Sequence, residues 1–209
     1  MNGRKRALLI WAGAFALLAA AAFILSMVLR GIQDGEESDP GGYIPYSEYD
    51  FFYEPDWESA LYERDCYDEY LQHDRTLYYT DGALTRAVTE SDRASFPEDV
   101  LFFEDYFASL EAGDSKAYDA LFDPAFIAEN GETPDFTPQM TYGRRVERVR
   151  DVSLEGAQEA VFDLRYKFFM NDGTFRRDVY SDSERTIRVT LGYVDGKLKI
   201  VSLQYYTLA

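Results

Sequence analysis

Beyond Arg4-Lys5-Arg6 at the start, Arg144, Arg145, Arg148 and Arg150 form the one basic cluster of a chain whose formal charge is −17. Arginine carries a rigid fork of donors that matches a carboxylate two bonds at a time. The cluster therefore has two readings: a set of surface ion pairs, each contributing about 0–1 kcal/mol, or a patch that receives an acidic partner or the chain's own acidic segment and speeds association. Other reactive side chains are few. Cys66 is the only cysteine and His73 the only histidine. A single thiol closes no internal disulfide, and zinc sites of the finger type need Cys and His in pairs. Both read as surface groups, with a mixed disulfide between chains as the alternative for Cys66. Glycine-rich phosphate loops, nucleophile elbows and calcium loops do not occur. These observations predict no metal and no cofactor, and the strong negative charge argues against nucleic acid as a partner.

The elements that must position these residues begin with a long apolar run. Residues 7–29, from Ala7 to Leu29, contain no charged side chain. At helical rise they reach about 34 Å, enough to cross a hydrocarbon core of about 30 Å. Arg4, Lys5 and Arg6 precede the run, and Asp34, Glu36, Glu37 and Asp39 follow Arg30. The positive-inside rule then puts residues 1–6 in the cytoplasm and everything after the span outside. A cleaved signal peptide is the competing reading, but its apolar region is usually about 7–15 residues and ends in a small-x-small site. Ser26-Met27-Val28-Leu29-Arg30 is a poor match to one. The sequence thus predicts a single-pass signal-anchor in the cell membrane with an extracytoplasmic C-terminal part.

Residues 30–94 read as an acidic, tyrosine-rich spacer. Between 34 and 74 there are 14 Asp or Glu against the single Arg64, and Pro40-Gly41-Gly42, Pro45 and Pro55 discourage regular structure. Tyr43, Tyr46, Tyr49, Phe51, Phe52, Tyr53 and Trp57 are unusual in such a segment. They either pack back onto the domain of the same chain, favoured by tethering, or form a recognition segment for a partner. Trp57, Leu61, Tyr67 and Leu71 predict a weak helix over 56–71, and Asp81-Gly82 predicts a small hairpin between 76–79 and 83–88.

From 95 to 209 the pattern predicts an α+β domain. Ser95-Phe96-Pro97-Glu98 reads as a capping box. Phe96, Val100, Phe103, Phe107 and Leu110 then share one helical face that Gly113 closes. Asp114 caps a second helix carrying Tyr118 and Phe122, and a short turn follows around Phe126 and Ile127. The period then becomes two. Ala160, Phe162, Leu164, Tyr166, Phe168 and Met170 alternate with Asp163, Arg165 and Lys167, and Ile187, Val189, Leu191 and Tyr193 alternate likewise. Arg144 to Val152 reads as a strand. Turns at 171–173 and 195–196 make the strands an antiparallel meander after the helices.

The order of elements, with Phe103-Glu-Asp-Tyr-Phe-Ala-Ser-Leu-Glu-Ala-Gly-Asp114, Tyr118-Asp-Ala-Leu-Phe122 and Val194-Asp-Gly-Lys-Leu-Lys-Ile200, resembles the nuclear transport factor 2-like superfamily, also described as the cystatin-like cone. The resemblance covers about residues 96–209. It implies three helices packed on a strongly curved antiparallel sheet, with the layout of bacterial membrane-anchored extracytoplasmic members: short tail, one span, spacer and cone. Enzymes of ketosteroid isomerase type within the superfamily place a carboxylate base opposite a tyrosine and a protonated acid in an apolar pocket. Tyr106, Tyr118, Tyr166 and Tyr193 are the candidates to line such an interior here, with Asp163 or Asp178 to supply a carboxylate. None of them matches a catalytic position, and tyrosines are expected in any core because the hydroxyl can sit at an edge. A shared fold does not carry an activity with it. The expectation is a non-catalytic binding or assembly domain with a protein partner in the cell envelope, for instance in a secretion or conjugation apparatus. The alternative is an isomerase- or hydrolase-like enzyme using the cone pocket.

Overall fold

A computed structural model of the chain describes residues 51–154 and 157–206. The predicted tail at 1–6, the membrane span at 7–29 and the first part of the acidic spacer lie outside the described residues. Among the described residues no helix is long and apolar enough to cross a membrane.

Strong amphipathic patterning and β-branched alternation produce an α+β body. Four helices are described: α1 (Tyr67–Tyr70), α2 (Glu98–Ala112), α3 (Ser115–Asp119) and α4 (Pro124–Asn130). Six strands follow the order β2-β1-β3-β4-β5-β6 in one sheet: β1 (Leu77–Asp81), β2 (Leu84–Val88), β3 (Thr141–Leu154), β4 (Ala157–Phe168), β5 (Arg185–Val194) and β6 (Lys197–Tyr206). The α+β class and the helices-then-meander order match the pattern of the sequence.

The strands expected between 95 and 209, β3 to β6, pair antiparallel as predicted, and the sheet becomes mixed because the hairpin at 77–88, expected to lie in the spacer, joins it. β1 runs parallel to β3, pairing Tyr78 with Arg145 and Asp81 with Arg148, while every other pair is antiparallel. A parallel pair needs a long crossover, and residues 82–140 provide it by carrying β2 and the helices α2 to α4. The Asp81-Gly82 hairpin forms as predicted but is built into the edge of the main sheet. Register shifts in β3, between Tyr142 and Arg145 and between Arg148 and Arg150, bend the strand, as bulges do. Gly143 sits at the first with φ +63, where a left-handed conformation suits glycine.

α2 lies on the inner face of this bent sheet. Val100, Phe103, Phe107 and Leu110 are each at most 1% exposed and pack with Phe162, Leu164, Ile187, Val189 and Leu191 from β4 and β5. The predicted capping box is absent. Ser95 ends a 3₁₀ turn, its side chain receives a bond from Arg86, and Pro97 occupies the N-cap position. The reason is steric: proline pushes the preceding Phe96 into extended backbone, φ −96 and ψ 145, so the helix starts only after it. At the other end Gly113 takes φ +64 and closes α2 with its N–H on the Leu110 carbonyl, while Asp114 caps α3 by accepting from the Ala117 N–H at 2.9 Å.

Helix formation over 56–71 is limited to two 3₁₀ turns and the four residues of α1. This segment nevertheless packs. Trp57 and Tyr70 are 5% and 0% exposed and form a second apolar cluster with Met140 and Phe169. Arg64, itself buried, donates to the carbonyls of Trp57 and Pro138 and stacks over the Trp57 ring at 4.7 Å. Where described, the aromatic segment thus folds back through Trp57, whereas Phe52 and Tyr53 remain 42% and 48% exposed.

Candidate functional site

Three of the four candidate tyrosines converge. Tyr106 on α2, Tyr118 on α3 and Tyr166 on β4 are all buried, because each falls on the apolar face of its element. The Tyr106 and Tyr166 hydroxyls lie 3.0 Å apart, and the Tyr106 and Tyr118 rings are 5.5 Å apart. Phe107, Phe122 and Phe168 pack against these rings at 5.1–5.4 Å. Burial pushes all three hydroxyls well above the ordinary tyrosine range, so they remain protonated donors.

Tyr193 stands apart. It continues the inward alternation of β5, but it lies at the strand end where α2 only begins, and it is 56% exposed. Its hydroxyl donates to Glu98 at 3.2 Å, at the rim of a small surface pocket of about 190 Å³.

Neither candidate carboxylate faces the tyrosine hydroxyls as a free base. Asp163 is on the outer face of the sheet, where it holds Arg188 through two bonds at 2.8 and 3.0 Å. Asp178 accepts two bonds of 2.6 Å from Arg176 and one of 3.1 Å from Arg185. Burial opposes the charge on Asp178, but the Arg176 bonds and both positive charges outweigh it and hold the carboxyl below its ordinary value. Arg176 is 7% exposed and its guanidinium lies 4.2 Å from the Tyr205 ring centroid.

The arginine cluster is divided by the β3 bulges. Arg144 and Arg148 face α2. Arg144 bonds Glu111 and the Thr141 carbonyl and stacks over Phe107 at 4.7 Å. Arg148 makes a bidentate pair with Asp99 at 2.6 and 2.7 Å, donates from its Nε to the Tyr79 hydroxyl oxygen at 3.0 Å, and stacks over Phe162. Arg145 and Arg150 are exposed. The four do not form one patch, and two of them are anchors between sheet and helix.

A cleft of about 660 Å³ was not singled out by the sequence. It opens between α2 and the β1–β2 hairpin. The loop before β1 supplies His73, Asp74 and Arg75; α2 supplies Glu104, Phe107, Ala108 and Glu111; β3 supplies Arg144. Glu104, Ala108 and Glu111 recur at helical spacing beside the apolar stripe, the one signal in the sequence that could have marked this wall. Behind it Tyr70, fully buried, has two acceptors within reach of its one hydroxyl proton, Glu111 at 2.8 Å and the Thr141 carbonyl at 2.9 Å. Burial and the nearby Glu111 charge push that hydroxyl upward in pKa. His73 packs at a tilt against Tyr142 and Phe169, with centroids at 4.3 and 4.8 Å.

Among the described residues no group of His, Cys, Asp and Glu is arranged to hold a metal ion. The chain matches no protein-family model, no curated protein and no solved structure.

Proposed function

We propose that the chain is a membrane-anchored extracytoplasmic domain that binds a partner or ligand without catalysis, working in the cell envelope. The charge asymmetry around the apolar run 7–29 supports the anchor and its orientation. One observation carries the non-catalytic reading: the interior in which a cone-fold enzyme would keep its pocket is occupied by Tyr106, Tyr118 and Tyr166, packed ring against ring, with the nearby carboxylate of Asp178 already committed to Arg176 and Arg185. A catalytic base needs a free lone pair within reach of substrate, and these groups offer neither the lone pair nor the room. The six-stranded mixed sheet and the helices on its inner face are compatible with a cone, and membership of the nuclear transport factor 2-like superfamily is part of the proposal.

Crystals soaked with small aromatic and aliphatic fragments test it. The reading expects no fragment among the three tyrosines. A fragment bound beside their hydroxyls and within 3.5 Å or so of a carboxylate would restore the isomerase- or hydrolase-like alternative.

A further inference from the structure

Cys66, Met140 and Met170 are the only sulfur-bearing side chains among the described residues, and the fold gathers all three at one place. They come from separate segments: the residue before α1, the residue before β3 and the turn after β4. Met140, 2% exposed, belongs to the second apolar cluster with Trp57 and Tyr70, and Cys66 and Met170 pack against that cluster. The Cys66 thiol donates to the Met140 thioether sulfur at 3.8 Å. Met170 takes φ +49, a left-handed conformation uncommon for any residue but glycine and asparagine. A pocket of about 430 Å³, lined by Cys66, Met170 and Trp57, opens at the surface beside the cluster. The exposed carboxylates of Glu54, Asp56 and Asp65 line it too, and a concentration of negative charge there attracts cations.

We propose that Cys66, Met140 and Met170 form a binding site for a soft monovalent metal ion, Cu(I) above all, held by one thiolate and two thioethers. Thiolate and thioether sulfur select Cu(I), whereas carboxylates suit harder ions such as calcium and magnesium. With metal–sulfur bonds of about 2.3 Å, two sulfurs 3.8 Å apart subtend an angle of about 110° at a shared ion, so the Cys66 and Met140 pair chelates with little movement. Met170 completes the set through its unbranched side chain, which has three rotatable bonds. Charge narrows the choice further. One thiolate neutralises a monovalent ion, whereas a divalent ion would leave a buried positive charge close to Arg64, whose own charge acts on Cys66. On binding, the S–H bond of Cys66 breaks, the Cu–S bond forms and the proton passes to water; copper stays Cu(I) and nothing is oxidised or reduced. The want of paired Cys and His rules out a zinc finger, but thioether sulfur falls outside that rule. The proposal names a ligand for the binding domain proposed above and rests on that reading.

The test is an anaerobic titration of the full chain in detergent micelles with Cu(I), kept reduced by ascorbate and competed against the chelator bicinchoninate, with Zn(II) as control. One Cu(I) should bind per chain, equimolar Zn(II) should not displace it, and X-ray absorption should show sulfur neighbours only. Cys66→Ser should weaken binding by about 100-fold or more, and Met140→Leu and Met170→Leu by about tenfold each, since even groups behind the ligands shift metal affinity by about 10–100-fold. Leucine nearly conserves the volume of methionine, so these two variants carry the test if Cys66→Ser fails to fold; melting temperatures without metal check all three. A chain that takes no Cu(I) from the chelator, nitrogen or oxygen neighbours around the copper, binding unchanged in Cys66→Ser, or leucine variants that both bind as tightly as the parent would each overturn the site. None of these failures would touch the filled interior, which fragment soaking examines separately.

Discussion

Tyr106 on α2 and Tyr166 on β4, 60 residues apart in the chain, place their hydroxyl oxygens 3.0 Å from one another inside the fold. One hydroxyl donates to the other, and this bond helps polar side chains sit in an interior otherwise built of Phe, Leu, Ile and Val. Removing one hydroxyl leaves its partner short of a bond. Tyr166→Phe should lower stability by about 1–2 kcal/mol, and Tyr106→Ala by about 3–5 kcal/mol through the cavity left behind. Urea unfolding curves would measure both; a neutral Tyr106→Ala would show that the interior is not packed as described.

Gly113 is the point at which α2 turns into α3, with φ +64 and no room for a side chain. A Cβ there would meet the Pro138 nitrogen and ring Cδ and the Thr137 carbonyl carbon at 2.6–2.9 Å. Gly113→Ala combines a left-handed strain of about 1 kcal/mol or more with a backbone clash, and it should cost clearly more than a solvent-exposed glycine such as Gly82, whose added Cβ meets nothing within 4 Å. Thermal unfolding of the two variants side by side gives the comparison.

Arg64 ties the residues around Trp57 to the β-rich body through the Pro138 carbonyl at 2.7 Å. Arg64→Ala removes two charge-assisted bonds and the stacking on Trp57. The segment 51–71 should loosen while the sheet stays intact, seen as faster proteolysis within that segment and a red-shifted Trp57 fluorescence. Unchanged cleavage would mean that Trp57 and Tyr70 alone hold the segment.

Much of this architecture was legible in the residues. The period-two runs that place Phe162, Leu164 and Tyr166 on one face, and the spacing of Val100, Phe103, Phe107 and Leu110, report local geometry that each element realises by itself. The parallel pairing of Tyr78 with Arg145 was not legible, since nothing in either strand encodes a partner so distant in sequence. The division of Arg144 and Arg148 from Arg145 and Arg150 depends on bulges that shift register, and a strict alternation cannot foresee them. The cleft was hidden for a similar reason: Arg75, Glu111 and Arg144 come from three elements, and only the fold brings them together. Tyr193 followed its strand's alternation correctly but meets only the first residue of the helix that covers its neighbours, Glu98, and so stays exposed.

Acid should weaken the fold through Asp178. Its carboxyl is held below its ordinary value of 3.8, so the ion pairs with Arg176 and Arg185 contribute fully above that value and are lost as pH falls through the depressed one. Stability measured by urea midpoint should drop as pH falls from about 4 toward 2. Asp178→Asn should be less stable near neutrality and show a shallower acid-side slope. The carboxyl is 40% exposed, so the effect is a partial one.

Topology is the most direct measurement of the proposed function. Intact cells carrying the chain with a C-terminal epitope tag are treated with a protease that does not enter them, alongside a cytoplasmic marker. Loss of the tag from the cell-associated fraction while the marker survives is the predicted result, and a tag that stays with the cells until they are lysed would contradict the extracytoplasmic placement on which the binding role depends.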